Sequence, residues 1–107
     1  MEPEAVIRTL FARVRAGDIA VAELFADDAV FEPGPELLVG RDAIRRYYTR
    51  AFESKIQPQI EELFALPPRY AALLRVATPM GEVRVLDVFE VEDGTIRSLR
   101  VLRREAD

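Results

Sequence analysis

The chain contains no cysteine and no histidine. The first absence excludes disulfides, thiolate metal sites and cysteine nucleophiles, and the second removes the usual general base and the usual zinc ligand. Polar chemistry therefore falls to carboxylates, tyrosines and arginines, and neither a metal nor another cofactor is expected. Lysine is nearly missing as well, since Lys55 stands against fourteen arginines. The basic residues are scattered among acids and the net charge is -4, so nucleic acid, which needs a basic stripe for its phosphates, is not an expected partner. No apolar run approaches membrane-spanning length, and the opening Met1-Glu2-Pro3-Glu4 lacks the basic-then-apolar order of a signal peptide. A cytoplasmic location without a membrane partner is expected.

The 107 residues are half apolar and about a third charged, the balance of one globular domain over residues 1–107. Val6, Ile7, Leu10, Phe11 and Val14 fall on one stripe of a helix over 3–16, with Pro3 in its first turn and Gly17 to end it. Asp18 can cap a short helix over 19–25, which Asp27-Asp28 closes as a solvated turn. Residues 29–32 form a short strand cut off by Pro33-Gly34-Pro35, and 37–39 a second short arm. A third helix over 41–52 carries Ile44, Tyr47, Tyr48 and Ala51 on one side.

The second half changes period. Segments 57–66, 69–77, 83–92 and 96–103 have strand length, and the short separators at Pro79-Met80-Gly81 and Asp93-Gly94 make the last three an antiparallel meander. Val83, Val85, Asp87, Phe89 and Val91 share one face of the third segment, with one carboxylate among large apolar neighbours. Leu86 and Val88 lie on the opposite face, which helices on the first face would leave in water. A second copy of the chain is the predicted cover, giving a homodimer through the outer sheet face. Arg103-Arg104-Glu105 reads as a solvated end.

Helices followed by a long meander give an α+β fold with the helices packed on one face of a curved antiparallel sheet. The blocks Ala16-Gly17-Asp18, Leu24 to Phe31, Gly40 to Ile44 with Tyr47-Tyr48, and Asp87-Val88-Phe89 with Asp93 to Ile96 resemble the nuclear transport factor two-like superfamily, in its SnoaL-like and ketosteroid isomerase-like branch. That resemblance covers nearly the whole chain. It implies a cystatin-like cone whose open end holds a mostly apolar pocket. In ketosteroid isomerase an acid on the equivalent strand stays protonated and donates to the substrate oxyanion. Asp87 matches that position, and Tyr48 matches a supporting pocket tyrosine. The pattern also departs from that enzyme: its oxyanion-hole tyrosine falls on Leu10 and its general base on Pro33. The neighbouring Glu32 points outward if Phe31 points in. A typical ketosteroid isomerase is therefore not expected.

The resemblance makes Asp87 and Tyr48 the candidate catalytic pair. Leu10, Val14, Phe31, Arg75, Phe89, Leu99 and Val101 are the candidate ligand-binding residues. Arg75 is open between partner of Asp87, anchor for an anionic ligand, and a residue misassigned to this face by one position. Pairing would favour the ionised carboxyl, whereas burial without a partner would favour the protonated one. Tyr47 reads as a core aromatic, and the directions of Glu61 and Glu62 are open. Two functions follow. One is an isomerase or cyclase acting near a carbonyl of a small apolar cyclic substrate, with Asp87 as acid or base. The other is a non-catalytic ligand-binding or dimerisation module.

Overall fold

The computed structural model describes residues 1–103, so Arg104 and Glu105 lie outside the described residues. Helix α1 spans Pro3–Ala16 and buries Val6, Ile7, Leu10 and Phe11, positions that share one side at 3.6 residues per turn. Gly17, at φ +65°, ends it. The Gly17 and Asp18 amides donate to the otherwise unpaired carbonyls of Val14 and Arg13 at 3.1 and 2.9 Å. The Asp18 carboxylate then accepts from the Ala20 amide at 2.9 Å, capping a tight helical turn over Ile19–Leu24 that buries Val21, Ala22 and Leu24.

Strand β1 runs from Phe25 to Glu32, four residues earlier than the expected start. Asp27 and Asp28 are strand residues rather than a turn. Both are exposed, while Ala26 and Ala29 on either side are buried. Pairing with the last strand slips between Phe25 and Val30, which is the signature of a bulge and puts two successive side chains outside. Arg41 secures this irregular stretch: its Nη2 and Nε donate to the Phe25 carbonyl at 2.8 and 3.1 Å, and its Nη1 lies 2.8 Å from Asp27. An Asp-Asp pair signals a turn only when nothing else satisfies the backbone. Here an arginine sixteen residues on does so.

After the Pro33 to Pro35 break, β2 (Leu38–Val39) pairs back on β1, and α2 spans Arg41–Ala51, burying Ile44 and Tyr48. The remainder is β3 (Gln57–Leu66), β4 (Arg69–Thr78), β5 (Gly81–Glu92) and β6 (Thr95–Arg103). Pro67-Pro68 joins β3 to β4 as a hairpin as well, so the antiparallel meander includes β3. Among the described residues the strand order is β2-β1-β6-β5-β4-β3, with β1 and β6 parallel. One face of the meander buries Tyr70, Ala72, Leu74 and Val76 from β4 and Val85, Phe89 and Val91 from β5. The helices close over it: α1 packs on β3 and β6, and α2 on β1. Each fully buried Phe, Leu or Ile contributes roughly 1.5–3 kcal/mol, so Phe25, Phe89, Ile7, Leu10, Ile44 and Leu99 carry much of the stability. No helix among the described residues is long and apolar enough to cross a membrane.

Candidate functional site

Asp87 occupies the middle of β5 on the helix-covered face. Its neighbours across the sheet are Ala72 on β4 and Val101 on β6, and neither side chain can hydrogen-bond. The carboxyl is 5% exposed, and its Oδ1 has no hydrogen-bond partner among the described residues. Burial is the cause that pushes its pKa from 3.8 up to about 7, because removing the charged form from water is not offset by a counter-ion.

This acid faces a cavity of about 150 Å³, a volume comparable to apolar cavities that admit a benzene-sized molecule. Its walls are Leu10, Phe11 and Val14 from α1, Phe31 from β1, Tyr47 and Tyr48 from α2, and Leu99 and Val101 from β6. The more exposed Ile56 and Val83 mark the mouth, beside Pro33 and Phe52. The aromatic wall forms a corner. Phe31 and Tyr48 are stacked with centroids 5.7 Å apart and planes 14° apart. Tyr47 stands edge-on to both, at 5.0 Å and 87° from Phe31 and 5.3 Å and 79° from Tyr48.

Four lining side chains are polar: Asp87, Tyr47, Tyr48 and Thr78. Thr78 is committed to the β4–β5 hairpin, since its hydroxyl donates to the Gly81 carbonyl at 2.7 Å and accepts from the Met80 amide at 3.2 Å. The pKa of Tyr48 is raised well above its ordinary value, first by burial, then by the charge of Asp87, then by Tyr47. The order of ionisation makes the effect one-sided: Asp87 titrates against a neutral phenol, whereas Tyr48 would have to ionise beside a carboxylate. Tyr48 is therefore a hydroxyl at any ordinary pH, and Asp87 is the group that changes state near neutrality.

The structure brings Asp87, Tyr48, Leu10, Val14, Phe31, Leu99 and Val101 together around one cavity. Two residues read from the sequence as ligand-binding do not belong there. Phe89 is fully buried behind the wall, edge-on to Phe11 at 6.0 Å. Arg75 lies on the opposite face of the sheet, across from Arg84 and 3.7 Å from Glu82. Its displacement has a simple origin. Gly81 pairs with Thr78, so the hairpin loop is two residues rather than three, and a one-residue change of register turns every side chain of β4 over. Asp87 thus has no arginine on its face from β4. Glu32 points outward, 3.6 Å from Arg100. Glu61 meets Arg84 at 3.3 Å, Glu62 is exposed, and neither lines the cavity. Tyr47, read as a core aromatic, is a wall of the cavity. Val83 and Val85 also line it, and their alternation with Asp87 was the available signal.

A family model described as a SnoaL-like domain matches residues 7–99. A steroid Delta-isomerase from Nocardioides simplex is 32% identical over 110 residues, covering 96% of this chain and 89% of that protein. Among solved structures, the epoxide hydrolase/cyclase-like enzyme SalBIII, with a role in pyran ring formation in the polyether salinomycin, superposes with a TM-score of 0.85. It is 24% identical, over 94% of this chain and 89% of that one. A protein from Sphaerobacter thermophilus superposes with a TM-score of 0.87 at 25% identity, over 99% of both chains. The family match over residues 7–99 makes the chain a member of the SnoaL-like domain family.

Proposed function

We propose that the cavity takes a small apolar cyclic ketone and that Asp87 carries a proton at the carbon beside its carbonyl, an isomerase- or cyclase-type step that uses no metal. The observation that carries this reading is the buried Asp87 carboxyl with its unpartnered Oδ1. As a carboxylate it can take the α-proton, leaving an enolate. As the resulting acid it can return that proton to another carbon of the same conjugated system, so the carboxyl ends as it began. The Tyr48 hydroxyl, locked in its neutral form, serves as auxiliary donor to the enolate oxygen. A proton carrier works best with a pKa near the working pH, and burial sets that of Asp87 at about 7. The relation to a steroid Delta-isomerase supports isomerisation of a ring compound, and the cyclase-like fold neighbour is in keeping with a cyclase-type step.

Deuterium uptake at the α-carbon of cyclohexanone, followed by NMR in deuterated buffer, tests this reading. The rate should rise with pH as Asp87 ionises and level off above about pH 7. Asp87→Asn should lower it by about a hundredfold or more, the usual contribution of a positioned acid or base. A second reading, a non-catalytic binding module, is favoured by Leu10 and Pro33, which line the cavity as apolar groups. If the wild type and Asp87→Asn exchange at the same rate, that reading replaces the first.

The outer sheet face is read as the contact of a homodimer. Leu73, Leu86 and Leu102 form a row across β4, β5 and β6. Leu102 of that row is 41% exposed and Phe64 on β3 is 50% exposed, and a two-fold axis would let the same patch cover itself. Leu86→Glu should convert a dimer to a monomer in sedimentation, because it would set two like charges in an apolar contact. An unchanged sedimentation coefficient, or a monomeric wild type, would remove the dimer.

A further inference from the structure

We propose that the cavity is also a receptor for small tertiary ammonium ions, held by the Asp87 carboxylate against the aromatic corner of Phe31, Tyr47 and Tyr48. This rests on the same reading that Asp87 faces the ligand. Among the described residues, no basic side chain lines the cavity. The arginines whose ion pairs are resolved meet surface acids instead, as Arg41 does with Asp27 and Arg75 with Glu82. A cation entering the cavity would therefore be the first counter-ion that Asp87 meets, and its Oδ1 has an unfilled acceptor position.

The aromatic corner supplies the second half of the recognition. Phe31 and Tyr48 stack on one another with Tyr47 at right angles to both, and all three line the cavity beside Asp87, so the alkyl groups of an ammonium ion, over which its charge is spread, would lie against aromatic walls. The number of N–H groups then selects the class of amine. A primary ammonium brings three donors, and with Thr78 engaged in its hairpin each must find an acceptor among the Asp87 carboxylate and the two tyrosine hydroxyls of an otherwise apolar wall, any that does not being buried unpaired. A quaternary ion has no N–H to give Oδ1. A tertiary ammonium has one N–H for that oxygen, and its remaining surface is apolar, matching Leu10, Leu99 and Val101. The cavity of about 150 Å³ suits a single six-membered ring.

The titratable groups facing Asp87 are Tyr47 and Tyr48 from α2. The linings from α1, β1 and β6 are apolar, as Leu10, Phe31, Leu99 and Val101 are, and β4 brings Leu74, Val76 and the non-titratable Thr78. Binding of an ammonium ion should thus follow the ionisation of Asp87 alone below about pH 8, and binding of a ketone to the protonated acid should run the other way.

Calorimetric titration of the full chain with N-methylpiperidine, cyclohexylamine and cyclohexanone tests the proposal. N-methylpiperidine, which stays protonated in this range, should bind about tenfold more tightly at pH 8 than at pH 6, as the ionised fraction of a group titrating near 7 changes by that factor. It should bind more tightly than cyclohexylamine at both. Asp87→Asn should weaken it at least tenfold at pH 8 and abolish the pH dependence. The proposal is overturned if N-methylpiperidine does not bind, if its affinity is independent of pH in the wild type, or if the primary amine binds as well. Because the pH series uses the unaltered chain, a misfolded variant would not decide the matter. Ketone exchange without amine binding removes this proposal and leaves the proton-carrier function standing. Amine binding without ketone exchange does the reverse.

Discussion

Asp87→Asn is expected to stabilise the fold at pH 8 by about 4 kcal/mol and to leave it nearly unchanged at pH 4, with unfolding by urea as the measurement. The carboxyl holds its proton more tightly folded than unfolded, since burial raises its pKa from 3.8 to about 7. Between those values the native state binds more protons than the unfolded one, so wild-type stability falls as pH rises from about 4 and levels off above about 7. A tenfold change in proton affinity is about 1.4 kcal/mol, which puts the whole loss at about 4 kcal/mol. Asparagine has similar shape and no charge to bury, so the variant escapes that loss. For a chain of this size the gain at pH 8 corresponds to a melting temperature higher by roughly ten degrees or more. Protein concentration must be held fixed, because a dimer would make both midpoints depend on it. Parallel stability curves for the two proteins from pH 4 to 8 would mean that Asp87 has a partner in solution, and the site would lose its poised acid. If the difference appears together with the loss of ketone exchange, the destabilising charge is the functional one, a familiar trade between stability and activity.

The register of Asp87 was readable from the alternation of Val83, Val85, Phe89 and Val91, because one strand facing a packed layer writes its period directly into the sequence. The α1 stripe was legible for the same reason. What failed were features that depend on two segments at once. Arg75 was misplaced because its face is set by the length of the β4–β5 loop, and Pro79-Met80-Gly81 permits either two or three loop residues until Thr78 and Gly81 are seen to pair. Asp27-Asp28 was misread because the bulge they occupy is held by Arg41, from a different element. Phe89 has the right face and the wrong depth. Alternation says which side of the sheet a residue is on, but Phe11 reaches down from α1 to cover it. The place of Tyr47 in the wall follows from its edge-on packing against Phe31 of β1, a contact between two elements that no periodicity in α2 records.

Pro33→Asp is expected to accelerate the α-exchange of cyclohexanone by about a hundredfold and to reverse the sign of its pH dependence. Pro33 lines the cavity near its mouth, just past the end of β1, where the chain is only partly buried. A carboxylate introduced there would keep contact with water and stay ionised at neutral pH. Asp87, deeper and already held protonated by burial, would feel that second negative charge and hold its proton more tightly still. Two carboxyls in one cavity with their titrations pushed apart is the arrangement that divides labour into a base and an acid. The wild type must use one group for both steps, so its rate rises as Asp87 loses its proton. In the variant the new carboxylate takes the α-proton while Asp87 donates to the ketone oxygen, so the rate should fall as Asp87 ionises. A positioned base typically contributes a factor of 10²–10⁴, whereas replacing a loop proline costs about 0.4–1 kcal/mol through the unfolded chain, too little to unfold a domain of ordinary stability. Exchange rates measured by NMR from pH 5 to 9 separate the outcomes. A faster rate that still rises with pH would mean that the new carboxylate works without Asp87 as its acid. An unchanged rate would mean that position 33 does not reach the reacting carbon, and the division of labour would then have to be sought from Thr78 or Val83 on the other side of the mouth.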